Sequence, residues 1–213
     1  MAKTTQKWTT GSLTVAFGLK RTLENYLFLD DLMDVSKESI TTDELRVLEE
    51  LRIPLLKNYL SWNEETLKMK FISLLLHQVQ YDNDDIQVLY DAEIKGKVDT
   101  INLKAIADFT VARTVEDVVQ TPYFYFHEYK RKKNNADDPI AQVLIPSLIA
   151  QSQNNDNQPI LGCYVIGELW YFMVLHGKEY AIGKGLDATD IDGLSHIFLI
   201  LRKIKTIIWQ RYS

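Results

Sequence analysis

Ala107-Asp108-Phe109-Thr110-Val111, a polar loop, and then Pro122-Tyr123-Phe124-Tyr125-Phe126-His127-Glu128-Tyr129-Lys130-Arg131-Lys132-Lys133 form the stretch on which the fold turns. Asp137-Asp138-Pro139 and Gln142 follow it. Both apolar runs are rich in aromatic and β-branched residues and read as strands, each carrying an acid. Side chains alternate along a strand, so Glu128 and Lys130 point the same way, about 7 Å apart. Asp108 stands among apolar and β-branched neighbours, where a carboxylate is costly unless it is paired or binds a metal. On neighbouring strands, Asp108, Glu128 and Lys130 can converge. Two carboxylates and an ammonium around one point suit a Mg²⁺-assisted attack on a phosphodiester. The acids offer hard oxygen ligands, the cation polarises the phosphate, and the lysine neutralises developing charge.

About one Glu-x-Lys triplet is expected by chance in a chain of this size. A second one is present, Glu93-Ile94-Lys95. It lacks an apolar approach strand and a preceding acid-bearing strand, and it reads as a solvated strand end. Glu128-Tyr129-Lys130 gains weight from its company: Asp108 before it, Gln142 at the start of the following helix, and Glu64 or Glu65 at the start of the preceding one.

Asp, an apolar interval and Glu-x-Lys, followed by a helix with an inward glutamine, resembles the PD-(D/E)XK nuclease superfamily. It looks most like small bacterial members related to the nuclease domain of type I restriction enzyme R subunits. The resemblance covers roughly residues 60 to 210 as an order of elements. One departure is plain: Ala107, not proline, precedes Asp108. The resemblance implies an α+β fold with a mixed central sheet flanked by helices. It implies Asp108, Glu128, Lys130 and Gln142 as catalytic residues, and Glu64, Asp108 and Glu128 as ligands to Mg²⁺ or Mn²⁺. The partner it implies is nucleic acid, DNA first, and the assembly a homodimer or a larger restriction-type complex. The basic run Arg131, Lys132 and Lys133 beside the site would grip phosphates. A nuclease fold that has lost cutting and serves as a binding or structural module is the alternative.

Residues 1–60 read as an N-terminal helical extension and 61–213 as the nuclease-like domain. The 213 residues can bury a sizeable core, and 46% hydrophobic with 25% charged residues is ordinary for a globular protein. The single cysteine, Cys163, cannot make an internal disulfide and reads as a small buried hydrophobe. Met1 to Thr10 lacks a signal-peptide pattern, and no apolar run is long enough to span a bilayer. These readings set the expectation of a cytoplasmic protein without a membrane segment. A net charge of −5 argues against non-specific coating of nucleic acid, while leaving room for a local basic patch.

Along the chain, Leu19–Leu32 has roughly helical spacing, and Thr41 with Glu44 predicts a capping box. Pro54 is expected to kink or divide the helix that follows. A helix from Ser61 or Trp62 to Val79 should bury Leu67, Phe71, Leu74 and Leu75. Glu64 shares the face of Phe71, although a plain helix-start acid fits it equally well. His77 reads as a core-edge or surface residue. Strands are expected over Ile86–Ile94, Leu103–Val111 and Tyr123–Arg131, with Gly96 as a turn and Thr114–Thr121 as a loop. Asp138 with Pro139 starts a helix. Ile160–Ile166, Leu169–Leu175 and Tyr180–Ile182 read as strands, and Asp190 or Thr189 caps a closing helix.

Overall fold

The computed structural model describes residues 7–115, 118–130 and 138–211. The chain enters through helix α1 (Thr10–Phe17), where Thr9 and Ser12 cap each other: Thr9 Oγ1 accepts from the Ser12 amide at 3.1 Å and Ser12 Oγ from the Thr9 amide at 2.8 Å. A short strand β1 (Lys20–Thr22) and helix α2 (Leu27–Met33) follow. The single helix expected over Leu19–Leu32 is thus broken. Gly18 ends α1 in the left-handed region, and Asn25, also at positive φ, turns the chain into α2. Helix α3 (Thr42–Asn58) begins with the expected capping box and runs through Pro54 without dividing.

Helix α4 (Glu64–Leu67) is capped by Asn63, whose side chain accepts from the Thr66 amide at 2.8 Å. It passes through a π turn (Lys68–Ile72) directly into α5 (Ser73–Val79). A π turn fits one extra residue into the coil, so the buried stripe shifts. Leu67, Phe71 and Leu75 stay inside, joined by Ile72, Leu76 and Val79, while Leu74 turns outward. His77 is exposed.

Strands β2 (Ile86–Val98), β3 (Ile101–Val115) and β4 (Val118–Lys130) are longer than expected. Gly96 lies inside β2, and the turn falls at Asp99, which takes a positive φ. Glycine is needed at 96 because a Cβ there would meet Ile149 Cγ2 at 2.7 Å and Gln153 Nε2 at 2.8 Å. The loop expected at Thr114–Thr121 is mostly strand, since Thr114 and Val115 pair with Val119 and Val118. Helix α6 (Pro139–Asn154) starts on Asp138, whose carboxylate accepts from the Ala141 amide at 3.0 Å. Then come β5 (Ile160–Ile166), β6 (Leu169–His176), β7 (Glu179–Ile182), β8 (Leu186–Asp187) and α7 (Ile191–Gln210), the last capped by Asp190.

The eight strands form one mixed sheet in the order β1-β7-β6-β5-β4-β3-β2, with β8 also paired to β6. The β4–β5 and β1–β7 pairs are parallel and the rest antiparallel. The fold is therefore α+β, a mixed sheet between two helical layers. One apolar layer gathers Leu48, Phe71, Leu75, Trp170, Ile197 and Leu201, drawn from α3, the π turn, α5, α7 and the sheet face they cover. The other gathers Leu13, Phe17, Leu144, Ile149 and Phe126 under α1 and α6. Cys163 is core, as its apolar run suggested, and Trp170, Phe172 and Tyr164 are buried beside it in the sheet. The first sixty residues are more than a helical cover, because β1 adds an edge strand to the sheet. Among the described residues, no helix is long and apolar enough to cross a membrane.

One feature of the sheet positions Asp108 and Glu128. The β3–β4 ladder runs from Val115↔Val118 to Phe109↔His127 and stops there. Beyond it, β3 continues against β2, from Ala107↔Ala92 to Ile101↔Val98, while β4 continues against β5 as far as Lys130↔Ile166. The two strands fork, and Asp108 and Glu128 are the first residues past the fork.

Candidate functional site

At a fork the backbone groups lose their ladder partners and need others. Asp108 supplies one: its Oδ2 accepts from the Tyr129 amide at 2.8 Å, where a strand carbonyl would otherwise stand. Its Oδ1 accepts from Lys68 Nζ, also at 2.8 Å. Both oxygens of this mostly buried carboxylate are engaged. Glu128, on the adjacent strand, is nearly inaccessible, with 5% of its side chain exposed. Lys130, two residues on and on the same strand face, reaches back to Glu128 Oε1 at 2.6 Å.

The helix across the fork completes the cluster. Glu64 lies in the first turn of α4, 3.5 Å from Lys68 Nζ and 3.9 Å from Lys130 Nζ. The result is an alternating chain of charges: Asp108, Lys68, Glu64, Lys130, Glu128. Glu65 sits at its edge, 3.8 Å from Lys68 and 77% exposed. Glu64, not Glu65, is thus the helix acid that touches both lysines. Lys68 is the member that sequence reasoning missed. It opens the π turn, and it follows Glu64 by four residues, a spacing that brings the two side chains to one helix face. That spacing was the available signal, but nothing local says that the pair faces Asp108.

The electrostatics follow from burial and sign. Burial raises the pKa of Glu128, the neighbouring charge of Asp108 raises it further, and the ammonium of Lys130 pulls it back, leaving it at about 7. Glu64 adds a smaller upward push. Burial works against the charge on Lys68, but the hydrogen bond and charge of Asp108, with Glu64 and Glu65, outweigh it and hold this lysine above its ordinary value. Lys130 is held up in the same way, mainly by Glu128. Both ammoniums therefore stay charged at neutral pH.

Beside Asp108 a cavity of about 160 Å³ opens, lined by Lys68, Met69, Ile72, Tyr90, Asp91 and Tyr129 among others. Gln142 does not line it. This residue is in the first turn of α6, where it borders a separate cavity with Trp8, Lys104, Ile106 and Asp138. Its Oε1 is buried and has no hydrogen-bond partner among the described residues. Arg131, Lys132 and Lys133 lie outside the described residues. The rival triplet is solvated as expected, though it sits within β2 rather than at a strand end. Its Glu93 bonds Lys104 at 2.7 Å, which holds the carboxyl below its usual range.

His127 is a second residue that the sequence left unremarked. Its ring is fully buried among Phe109, Tyr125 and Trp170, at centroid distances of 4.9, 4.3 and 5.8 Å. Neither ring nitrogen has a partner among the described residues, and burial pushes its pKa well below the ordinary value.

Three carboxylates of hard oxygen character, one of them buried and difficult to ionise, suit a divalent cation such as Mg²⁺ or Mn²⁺ in kind. Yet among the described residues no three acidic, histidine or cysteine side chains stand together so as to hold a metal ion. The ammoniums of Lys68 and Lys130 take up the spaces between the acids. No protein-family model and no curated protein matches the sequence.

Proposed function

We propose that this chain is a restriction-endonuclease-like, Mg²⁺- or Mn²⁺-dependent nuclease that hydrolyses phosphodiester bonds of nucleic acid, DNA first. The observation that carries the reading is the forked β3–β4 pair. It sets Asp108 and Glu128 one step past the last paired residues of adjacent strands, with Lys130 bonded to Glu128 and a helix glutamate within reach. Asp108, Glu128 and Glu64 would hold the cation. When bound, the cation polarises the phosphate and lowers the pKa of the attacking water. Glu128 anchors Lys130 and aims its ammonium toward Glu64. Because its carboxylate partners hold Lys130 protonated, it acts as a fixed positive charge and not as a proton acceptor. Such a charge stabilises the transition state, in which the phosphate gains negative charge, more than the bound substrate. Tyr129, through its amide, holds Asp108 in place. Arg131, Lys132 and Lys133 follow directly on Lys130 in sequence and would contact substrate phosphates. A cytoplasmic setting and a homodimer or larger restriction-type complex belong to the same proposal.

One observation favours a second reading, a nuclease fold that binds without cutting: both lysines already neutralise the acids. A cleavage assay separates the two. Purified protein is incubated with Mg²⁺ or Mn²⁺ and single- and double-stranded DNA and RNA, beside Lys130→Met. The nuclease reading expects cleavage by wild type and a loss of about a hundredfold in the variant, the scale of a lost electrostatic donor. Absence of metal-dependent cleavage on all substrates transfers the site to the binding reading.

A further inference from the structure

The cavity beside Asp108 has a construction of its own. Its inner wall is Ile72 and Tyr129, both buried. Its rim is Tyr90 and Met69, which are 54% and 67% exposed. Singly, an exposed apolar side chain needs no explanation, but here two flank one opening. Tyr90 is also held in place, since its ring meets the buried ring of Phe109 edge to face at 5.6 Å. Asp91, in the same wall, has φ of 49° in the middle of β2. The ladder pairs Tyr90 with Phe109 and Ala92 with Ala107 and passes over Asp91. A non-glycine residue held in the left-handed region is strained, and such strain gathers at binding sites. Among the described residues, no hydrogen bond or ion pair engages the Asp91 carboxylate.

We infer that this cavity seats one unpaired base of a nucleic acid, stacked on Tyr90, with Asp91 accepting a hydrogen bond from its edge. The inference rests on the nucleic-acid reading above and needs no metal. Volume sets the class of ligand. A cavity of about 150 Å³ holds one benzene ring. The 160 Å³ present here therefore admits a single pyrimidine ring and excludes a base pair. A base in a duplex could enter only by leaving its stack, so the ligand is single-stranded or locally opened. Charge sets which part of the nucleotide enters. Glu65, Asp91 and Asp108 line the cavity against one cation, Lys68, which favours a neutral base over a phosphate. The aromatic rim takes the face of any base. Asp91 adds a choice: cytosine offers an amino group to a carboxylate, whereas thymine presents a carbonyl oxygen in the same position.

The test is fluorescence anisotropy of labelled short single strands at low salt with a chelator present, so that neither metal nor cleavage enters. The probes are oligo-dC, oligo-dT, an abasic strand of the same length and a blunt duplex. Tyr90→Ala should weaken oligo-dC by about tenfold or more, the scale of a lost base stack, and Tyr90→Phe should bind as wild type does. The salt dependence should not change, because no phosphate contact is lost. Asp91→Asn keeps a residue that tolerates positive φ and should reduce the preference for oligo-dC over oligo-dT. The abasic strand should bind wild type about tenfold more weakly than oligo-dC and ignore Tyr90→Ala, as should the duplex. This comparison uses the wild-type protein and guards against poor folding of a variant. Equal binding of oligo-dC and the abasic strand by wild type, or of oligo-dC by wild type and a folded Tyr90→Ala, overturns the base pocket and leaves the nucleic-acid reading standing. No binding of any strand at low salt overturns both.

Discussion

Replacing Glu128 with glutamine should change how stability depends on pH more than it changes stability itself. In the folded protein the Glu128 carboxyl is held at about 7 against an ordinary 4.5, by burial first and by Asp108 second. The folded state therefore binds more protons than the unfolded state between these values, and stability falls as pH rises through the window. Each pKa unit is worth about 1.4 kcal/mol, so crossing the whole window costs about 3 kcal/mol. Glutamine is neutral throughout and lacks this slope. His127 contributes a slope of opposite sign, since a histidine whose pKa is lowered in the fold gains stability as pH rises toward its ordinary value. That slope is common to both proteins and cancels in their difference. Lys130 stays charged across the range, and its attraction for ionised Glu128 is already contained in the value of about 7, so it adds no further slope to the difference. Urea denaturation of both proteins at intervals from pH 4.5 to 8 measures the difference. The variant should gain about 3 kcal/mol relative to wild type over that range. A difference that stays flat, or that moves against the variant as pH rises, would refute the account of Glu128 as a buried, reluctant anion.

Three further perturbations test neighbouring parts of the structure. Mg²⁺ or Mn²⁺ should raise the melting temperature of wild type by linkage, and Asp108→Asn should remove the rise; a rise that survives the substitution puts the metal elsewhere. Lys130→Met strands Glu128 without its partner and should cost about 3 kcal/mol at pH 8 and clearly less at pH 5.5, where Glu128 is protonated; equal costs at the two pH values in urea titrations count against the ion pair. Gly96→Val drives a side chain into Ile149 and Gln153 under α6 and should cost about 1–3 kcal/mol; a thermally neutral variant would show that α6 can shift away from β2.

Much of the fold was legible because its signals are local. The capping box of Thr41 and Glu44, the Asp138-Pro139 helix start and the apolar runs of β5 and β6 each declare themselves within a few residues. The misreadings share one physical cause, namely that a distant contact overrides a local preference. Gly96 looks like a turn until α6 is laid across it. The helix expected at Leu19–Leu32 gives way because Lys20–Thr22 finds an edge strand, β7, some 160 residues downstream. Leu74 turns outward because of a π turn, which leaves no periodic mark in the sequence.

The site shows the same division more sharply. Glu128 and Lys130 could be placed on one strand face from spacing alone, and their 2.6 Å bond agrees with it. Asp108 could be marked as an acid in costly surroundings, but the way that cost is met could not be read. It is met by an amide freed where β3 and β4 part and by a lysine from a helix forty residues earlier. Both partners exist only once the sheet has forked and the helix has closed over it. The fork makes the carboxylate necessary to the fold, since without Asp108 the Tyr129 amide has no acceptor there. A residue so placed meets two demands at once: its Oδ2 holds the strand end through the Tyr129 amide, and its buried charge needs a positive partner, which Oδ1 finds in an ammonium. Lys68 satisfies the second demand from within the chain. The lysines that stand between the three acids then have a single physical origin. A cluster of three buried or half-buried carboxylates is unstable without positive charge, and here Lys68 and Lys130 supply it from within the chain.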